Sequence, residues 1–497
     1  MGYFPMHTTW HSLSLKHILY MAIILRITSA VFSYGYAFHD DHFCIVEDAQ
    51  YWADGNVYGT TALHSGEMAE PKGHSLFFVG LHYLLFSLLN TAGIMHPLLK
   101  MTIVQLLLAF FSLLTIVFSY KIVKHLSSNE KTAAWISLLP TLYWFMPFLS
   151  VRTLVEWHCV PFILWTTWLL LNAANTKRYY IQYVFAGGLM AMAFSMRYQT
   201  ALFAVGLGLY LLIEKKWRET LVFGFSFLCI SAILQGIPDL LVWGKPFTEM
   251  TQYITYNIEH RNEYGVDSWH LYPSVILGLL IPPFSLMLLA GCVMAFRSYR
   301  ILILPALLFL LFHMYFPNKQ ERFILPLLPS FMLAGGAGWM MLVEKYQYLC
   351  KASNYAIAFA GVINLILLLV MTPMPTKKSR VDAMLYFYRS EIQPASVLLE
   401  DHQSYNYVML PRFYAGCWFQ HYNITRHDYE NPFSPTIETL RALPPSEWPD
   451  YIIFSENDNF AERQKFVFSL FPGTEYQLQY IASPSWLDRL LQRANRA

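Results

Sequence analysis

The feature that most limits this chain is a succession of long apolar runs. The first, residues 18–37, holds about 20 residues and one charge, Arg26. At about 1.5 Å of rise per residue, a helix of ~20 apolar residues crosses the roughly 30 Å hydrocarbon layer of a bilayer. Ten more runs follow: 99–120, 133–149, 157–172, 180–195, 201–213, 221–236, 272–296, 301–316, 323–343 and 355–371. Composition agrees with a membrane-embedded protein. Hydrophobic residues make up 56% of the chain and charged ones 13%, against about half and about a quarter in soluble domains. The net charge of +2 gives no pointer to nucleic acid, since no basic block or recognition motif appears.

Charge sets the expected orientation. If the apolar segment 74–90 does not span, the connections carrying Lys121, Lys124 and Lys131, then Lys177 and Arg178, then Lys215, Lys216 and Arg218, then Arg297 and Arg300, then Lys345 and Lys351 all fall on one side. They hold 12 Lys or Arg, and the positive-inside rule makes that side cytoplasmic. The expectation is therefore a mainly α, polytopic helical bundle of about 11 spans, with the N-terminus inside and the C-terminus outside. The first run stays as a signal anchor, because it is long for a signal peptide and no small-residue cleavage site follows it. Segment 74–90 becomes an interfacial helix within the first external loop, 38–98. From about residue 373 the pattern changes. Strands are expected at 397–400, 407–410 and 450–454, and helices at 435–442, 459–470 and 486–493. This divides the chain into a membrane domain, 1–372, and an extracytoplasmic α/β domain, 373–497.

With that orientation, the unusual polar residues gather on the external face. Asp40 and Asp41 follow the first run, framed by Phe38 and Phe43 and accompanied by His39, His42 and Glu47. A carboxylate at a membrane mouth has its pKa set by its surroundings and can act as a general base. The plainer role is a solvated loop or helix cap. Arg152 and Glu156, four apart, suit one helical face, either as a simple ion pair or as an anion-binding Arg steadied by Glu156. Arg197 opens an otherwise apolar helix, where snorkelling is the alternative. Lys319 and Arg322, among Pro317, Pro326 and Pro329, suit a phosphate as point charge and bidentate fork. Tyr264, Trp269, His270 and Tyr272 form an aromatic loop that could stack on sugar rings or sit as an interfacial belt. The succession His39-Asp40-Asp41-His42 could also bind a divalent metal. Its side chains point apart if the segment is extended, so no metal is assigned.

These elements, in this order, resemble the lipid-linked-sugar-dependent mannosyltransferases of the Alg9/GPI-mannosyltransferase type, which have the C-type multispan glycosyltransferase fold. The resemblance covers about residues 18–336. The family's H-P-D-E-x-F-Q pattern reads here Phe38-His39-Asp40-Asp41-His42-Phe43-Cys44, so Asp40 takes the place of its Asp and Asp41 that of its Glu. The R-T-L-x-N-x-x-E element is matched by Arg152-Thr153-Leu154 and, at a shorter spacing, Glu156. The H-K-E-x-R-F element becomes Asn318-Lys319-Gln320-Glu321-Arg322-Phe323. The departures mark a divergent member.

The resemblance implies inverting transfer of a sugar, mannose by family, from a polyprenyl- or dolichyl-phosphate donor to a glycan or glycolipid acceptor. It implies Asp40 and Asp41 as the catalytic pair, and Lys319, Arg322, Arg152 and Arg197 on the donor phosphate. His39, His42, Glu47, Glu156, Tyr264, Trp269, His270 and Tyr272 are left for sugar and acceptor. No cofactor is required, since cations already face a monophosphate leaving group. Expected partners are the lipid donor, the acceptor and membrane lipids, with no nucleic acid. A bacterial inner membrane is the expected location and the endoplasmic reticulum the alternative. The competing functions are a transporter or flippase for lipid-linked intermediates and a noncatalytic scaffold. The lack of internal repeats and of polar groups deep in several runs speaks against transport.

Overall fold

The structure, a computed structural model, describes residues 13–57, 70–263, 265–431, 433–486 and 488–490. The chain forms two compact units. One comprises the described parts of 1–34, 71–81 and 102–374, the other those of 35–70, 82–101 and 375–497. Most of the segment expected as the first external loop thus clusters with the C-terminal segment.

The first unit is helical. Among the described residues, five helices are long and apolar enough to cross a membrane: Leu15–Phe32, Pro97–Ser127, Trp217–Trp243, Glu321–Lys345 and Leu349–Met371. The pair Leu271–Leu279 and Phe284–Ala295, bent by 113°, makes a sixth if it is one broken span. Several runs that are continuous in hydropathy are interrupted as helices. Proline explains some of the breaks, because it lacks the N–H a continuing helix needs. The 133–149 run lies in three short pieces, Glu130–Ser137, Leu139–Leu142 and Met146–Ser150, with Pro140 and Pro147 at the starts of the second and third. The 157–172 run is split between Val155–His158 and Val160–Asn172, with Pro161 opening the second helix.

Small residues let the long helices meet. A Cβ added at Gly291 would lie 1.9 Å from the Gly335 carbonyl oxygen, and one at Gly338 1.9 Å from that of Gly291. No side chain fits there, so helices Phe284–Ala295 and Leu328–Lys345 touch backbone to backbone, the small-residue packing that suits association within lipid. Arg26, the one charge of the first run, is 1% exposed. Its Nε donates to Ser112 Oγ at 2.8 Å and its Nη2 to the Pro140 carbonyl at 3.3 Å, while its Nη1 is buried without a partner, so its burial is matched only in part.

The second unit contains a parallel three-stranded sheet: β1 (Ser396–Asp401), β2 (Gln420–Thr425) and β3 (Tyr451–Phe454), in the order β2-β1-β3. Val397 of β1 faces His421 on one side and Tyr451 on the other. Its core gathers Leu398, Ile424, Ile437, Leu440, Val467, Leu470 and Phe471. Helices Pro435–Ala442 and Phe460–Phe468 follow the expectation. The strand expected at 407–410 is irregular chain. The strand missing from the sequence reading is β2, where alternation is weak. Of the helix expected at 486–493, the described residues 486 and 488–490 are helical, and the rest lie outside the described residues. Leu76–Thr91 is a helix of 16 residues.

Candidate active site

In the first unit three helix breaks contribute charge to one cluster. Glu156 sits on the one-turn helix Val155–His158, after an extended Leu154. Arg197 occupies the extended residue (φ −143°) between helix Tyr179–Met196 and the turn Tyr198–Thr200. Arg322 lies in the 3₁₀ segment Glu321–Leu327. Unwound backbone inside a membrane helix bundle is tolerated where it is buried in protein or lines a cavity.

Glu156 is fully buried and joins the two guanidiniums. Its Oε1 lies 2.9 Å from Arg197 Nη1 and 3.7 Å from Arg322 Nε. Arg322 Nε also donates to Gln320 Oε1 at 2.8 Å. The Arg197 guanidinium rests 4.6 Å from the centre of the Phe323 ring. Its Nε and Nη2 are buried without a hydrogen-bond partner. Two adjacent N–H groups of a guanidinium form the fork that fits two oxygens of a phosphate or carboxylate.

Lys319 is 5% exposed. Its ammonium donates to the Phe316 carbonyl and lies 6.0 Å from the Tyr272 ring centre. Burial pushes its pKa down, with Asp267 opposing. Its backbone N–H is pinned to the Gly265 carbonyl at 2.9 Å. Gly265 has φ +57°, and a Cβ there would meet the Lys319 carbonyl oxygen at 2.8 Å, so only glycine suits this approach.

The pairing expected of Arg152 and Glu156 on one helical face is corrected. Arg152 precedes the helix, and its guanidinium donates to the carbonyls of Ser33 (3.1 Å) and Met374 (2.9 Å). Of the aromatic loop, Tyr272 is buried and its hydroxyl accepts from the Gln320 N–H at 3.3 Å. Trp269 is 65% exposed and His270 is exposed too. Tyr264 lies outside the described residues.

Next to this cluster is a second buried group that the sequence reading missed. Glu249 accepts from the Gly73 N–H (2.7 Å), the His74 N–H (3.2 Å) and Trp243 Nε1 (3.0 Å). Its own N–H donates to Asp239 Oδ2 at 2.9 Å. Burial, then the Asp239 charge, pushes the Glu249 pKa up to about 7. Tyr253, one turn further on, accepts from Gln199 Nε2. Glu249 and Tyr253 lie in a polar stretch that reads as surface, and no periodicity marks them as buried.

The acidic motif lies in the second unit. It is helical where an extended segment was expected: His39–Asp41, then a wide π-turn His42–Glu47, then Asp48–Ala53. Phe43, Ile45, Val46 and Ala49 are buried by this winding. Asp40 stays partly exposed and His39 exposed, while Asp41 is 2% exposed. His42 is sandwiched between Tyr36 (ring centres 4.2 Å apart) and Tyr414 (5.5 Å). Burial, then Lys377 and His39, hold its pKa well below the ordinary imidazole range. Glu47 is fully buried. Its Oε1 accepts from the Phe413 N–H at 3.0 Å and lies 3.8 Å from His42 Nε2. The sequence reading also passed over Lys377, whose ammonium lies 4.4 Å from the Tyr36 ring centre. Burial and Arg380 bring its pKa down to about 8, with the Asp40 charge opposing.

Solved structures share this fold. ArnT from Cupriavidus metallidurans in the apo state superimposes with a TM-score of 0.63 at 10% identity, covering 90% of this chain and 94% of that one. ArnT bound to undecaprenyl phosphate gives 0.59 at 12%, covering 95% and 96%. Within that fold, the profile of the Alg9-like mannosyltransferase family matches residues 17–419, and the chain belongs to this family. It is 26% identical over 302 residues to GPI alpha-1,2-mannosyltransferase 3 of Bos taurus, covering 56% of this chain and 51% of that protein. It is 25% identical over 313 residues to the Homo sapiens protein of the same name, covering 60% and 53%. The chain thus matches about half the length of these relatives.

Proposed function

We propose that this protein is an inverting mannosyltransferase that moves a sugar from a polyprenyl- or dolichyl-phosphate donor to a hydroxyl of a glycan or glycolipid acceptor. The observation that carries the reading is the Arg197 fork. A buried guanidinium is anchored through Nη1 to Glu156 and leaves Nε and Nη2 without protein partners. With Arg322 and Lys319, three cations stand against Glu156 and Asp267, a net positive balance that suits a lipid phosphate in hydrocarbon surroundings.

The chemistry follows from charge. Asp40, the more accessible acid of its pair, takes the proton of the acceptor hydroxyl as the oxygen attacks the anomeric carbon. Asp41 orients the acceptor. The bond from the anomeric carbon to the phosphate oxygen breaks, and the departing lipid phosphate gains charge that Arg197, Arg322 and Lys319 stabilise, with Arg152 supporting. His39, Trp269, His270 and Tyr272 serve sugar and acceptor, while His42, Glu47 and Glu156 hold their neighbours in place. No divalent ion is required in this scheme. Eleven spans, an extracytoplasmic site and an extracytoplasmic segment 373–497 that grips the acceptor complete the proposal, in a bacterial inner membrane or in the endoplasmic reticulum.

The test uses the purified full chain, polyprenyl-phosphate mannose carrying a labelled sugar, and synthetic glycan acceptors. Transfer that Asp40→Asn abolishes supports the reading. Unchanged turnover in Asp40→Asn removes the assigned base. Movement of intact donor across proteoliposomes, without transfer, favours the flippase.

A further inference from the structure

His313 is a lone imidazole near the end of helix Arg300–Tyr315 and is 4% exposed. Its Nδ1 lies 2.8 Å from the carbonyl oxygen of Phe309, one turn back. A carbonyl only accepts, so Nδ1 carries the hydrogen, and in the neutral ring Nε2 keeps a lone pair. That Nε2 is buried and has no hydrogen-bond partner. Buried polar atoms are normally satisfied, and an orphan in a membrane bundle calls for an explanation.

Its surroundings supply one. The imidazole meets Tyr272 edge-on, with ring centres 6.1 Å apart, and Phe323, 6.4 Å apart. Phe323 is also the ring on which the Arg197 guanidinium rests, 4.6 Å from its centre. The Tyr272 ring centre lies 6.0 Å from the Lys319 ammonium. The orphan acceptor and the phosphate-binding cations therefore share the same two aromatic rings.

We infer that His313 Nε2 accepts a hydrogen bond from a ring hydroxyl of the sugar carried by the lipid phosphate, and so helps to select that sugar. This rests on the lipid-phosphate donor proposed above. An acceptor lone pair has no use for a phosphate oxygen, which also accepts, and the lipid chain offers no donor. A sugar joined to the phosphate through its anomeric carbon brings hydroxyls beside the cations, and a hydroxyl is the donor the site lacks.

The experiment compares kcat/KM for the parent donor and for analogues in which one sugar hydroxyl at a time is replaced by hydrogen. It uses the wild type, His313→Phe and His313→Gln. In the wild type, one analogue is expected to lose about tenfold or more, because a site built around a hydroxyl rejects the sugar lacking it. In His313→Phe the same analogue and the parent are expected to agree within about twofold. In His313→Gln, which keeps an acceptor, discrimination returns in part. Inhibition by free polyprenyl phosphate stays at the wild-type level in both variants, which a general loss of structure would not allow. If His313→Phe does not fold, His313→Met carries the same comparison. Analogue penalties that persist undiminished without the imidazole overturn the inference and leave the transferase reading intact. A wild type that uses no lipid-phosphate sugar overturns that reading and the inference with it.

Discussion

Arg197→Lys separates the proposed phosphate-binding role of Arg197 from its structural one. The wild-type guanidinium serves Glu156 through Nη1, at 2.9 Å, and its Nε and Nη2 have no hydrogen-bond partner in the protein, which is why they are proposed to meet the phosphate. Lysine keeps the charge but concentrates it on one nitrogen, which cannot hold the buried Glu156 carboxylate and also present a planar fork. The ion pair persists, so the fold persists. What is lost is one charge-assisted hydrogen bond to the leaving phosphate, about 1.5–3 kcal/mol, or a fall of roughly ten- to a hundredfold in kcat/KM. Inhibition by free polyprenyl phosphate weakens in the same direction, because the ligand phosphate is present there too. Arg197→Met behaves differently: it leaves Glu156 with Arg322 at 3.7 Å, and removing one partner of a buried charge costs about 3–5 kcal/mol of stability. The assay is steady-state transfer in detergent, with the melting temperature recorded for each variant. An Arg197→Lys enzyme whose kcat/KM and product inhibition both match the wild type refutes the phosphate fork.

Three further outcomes are expected. Asp40→Asn lowers kcat by about 10²–10⁴, the usual contribution of a general base, yet still binds polyprenyl phosphate in a competition assay; retained turnover contradicts the assignment. Glu249 holds its proton in the folded state up to about pH 7, against 4.5 for the unfolded chain. The stability this gives is complete below 4.5 and is lost as pH rises through 7, in total on the order of 3 kcal/mol. Melting temperatures should therefore fall between pH 5 and 8, and Glu249→Gln should flatten that slope; a rising slope from this residue refutes the argument. Chelation of divalent ions is expected to leave the transfer rate within about twofold, because the proposed scheme sets cations of the protein against the leaving phosphate; loss of activity restored by added metal contradicts this.

Much of this molecule can be read from its residues, for physical reasons. Apolar runs mark membrane helices because lipid leaves the backbone few alternatives. Lys319, Arg322 and Arg197 stand out because charge beside an apolar run is costly and needs a reason. Partners are harder to read. Spacing pointed from Arg152 to Glu156, but the helix begins only at Val155, so Glu156 turns to Arg197 and Arg322, 41 and 166 residues away in sequence. No local pattern encodes such a contact. The acidic motif carries no clear helical signal in its own polar residues, yet with Phe43, Ile45, Val46 and Ala49 buried it winds into a π-turn. Glu249 and His313 carried no signal at all: one is an acid in a polar stretch, the other a lone histidine in an apolar one.

The most direct measurement follows both halves of the donor. Wild-type protein is given polyprenyl-phosphate mannose labelled in the sugar and in the phosphate, together with an acceptor glycan. The account predicts that sugar label appears on the acceptor in inverted anomeric configuration, with one equivalent of polyprenyl monophosphate released for each sugar transferred. Retained configuration, phosphate label on the acceptor, or donor recovered intact would contradict it.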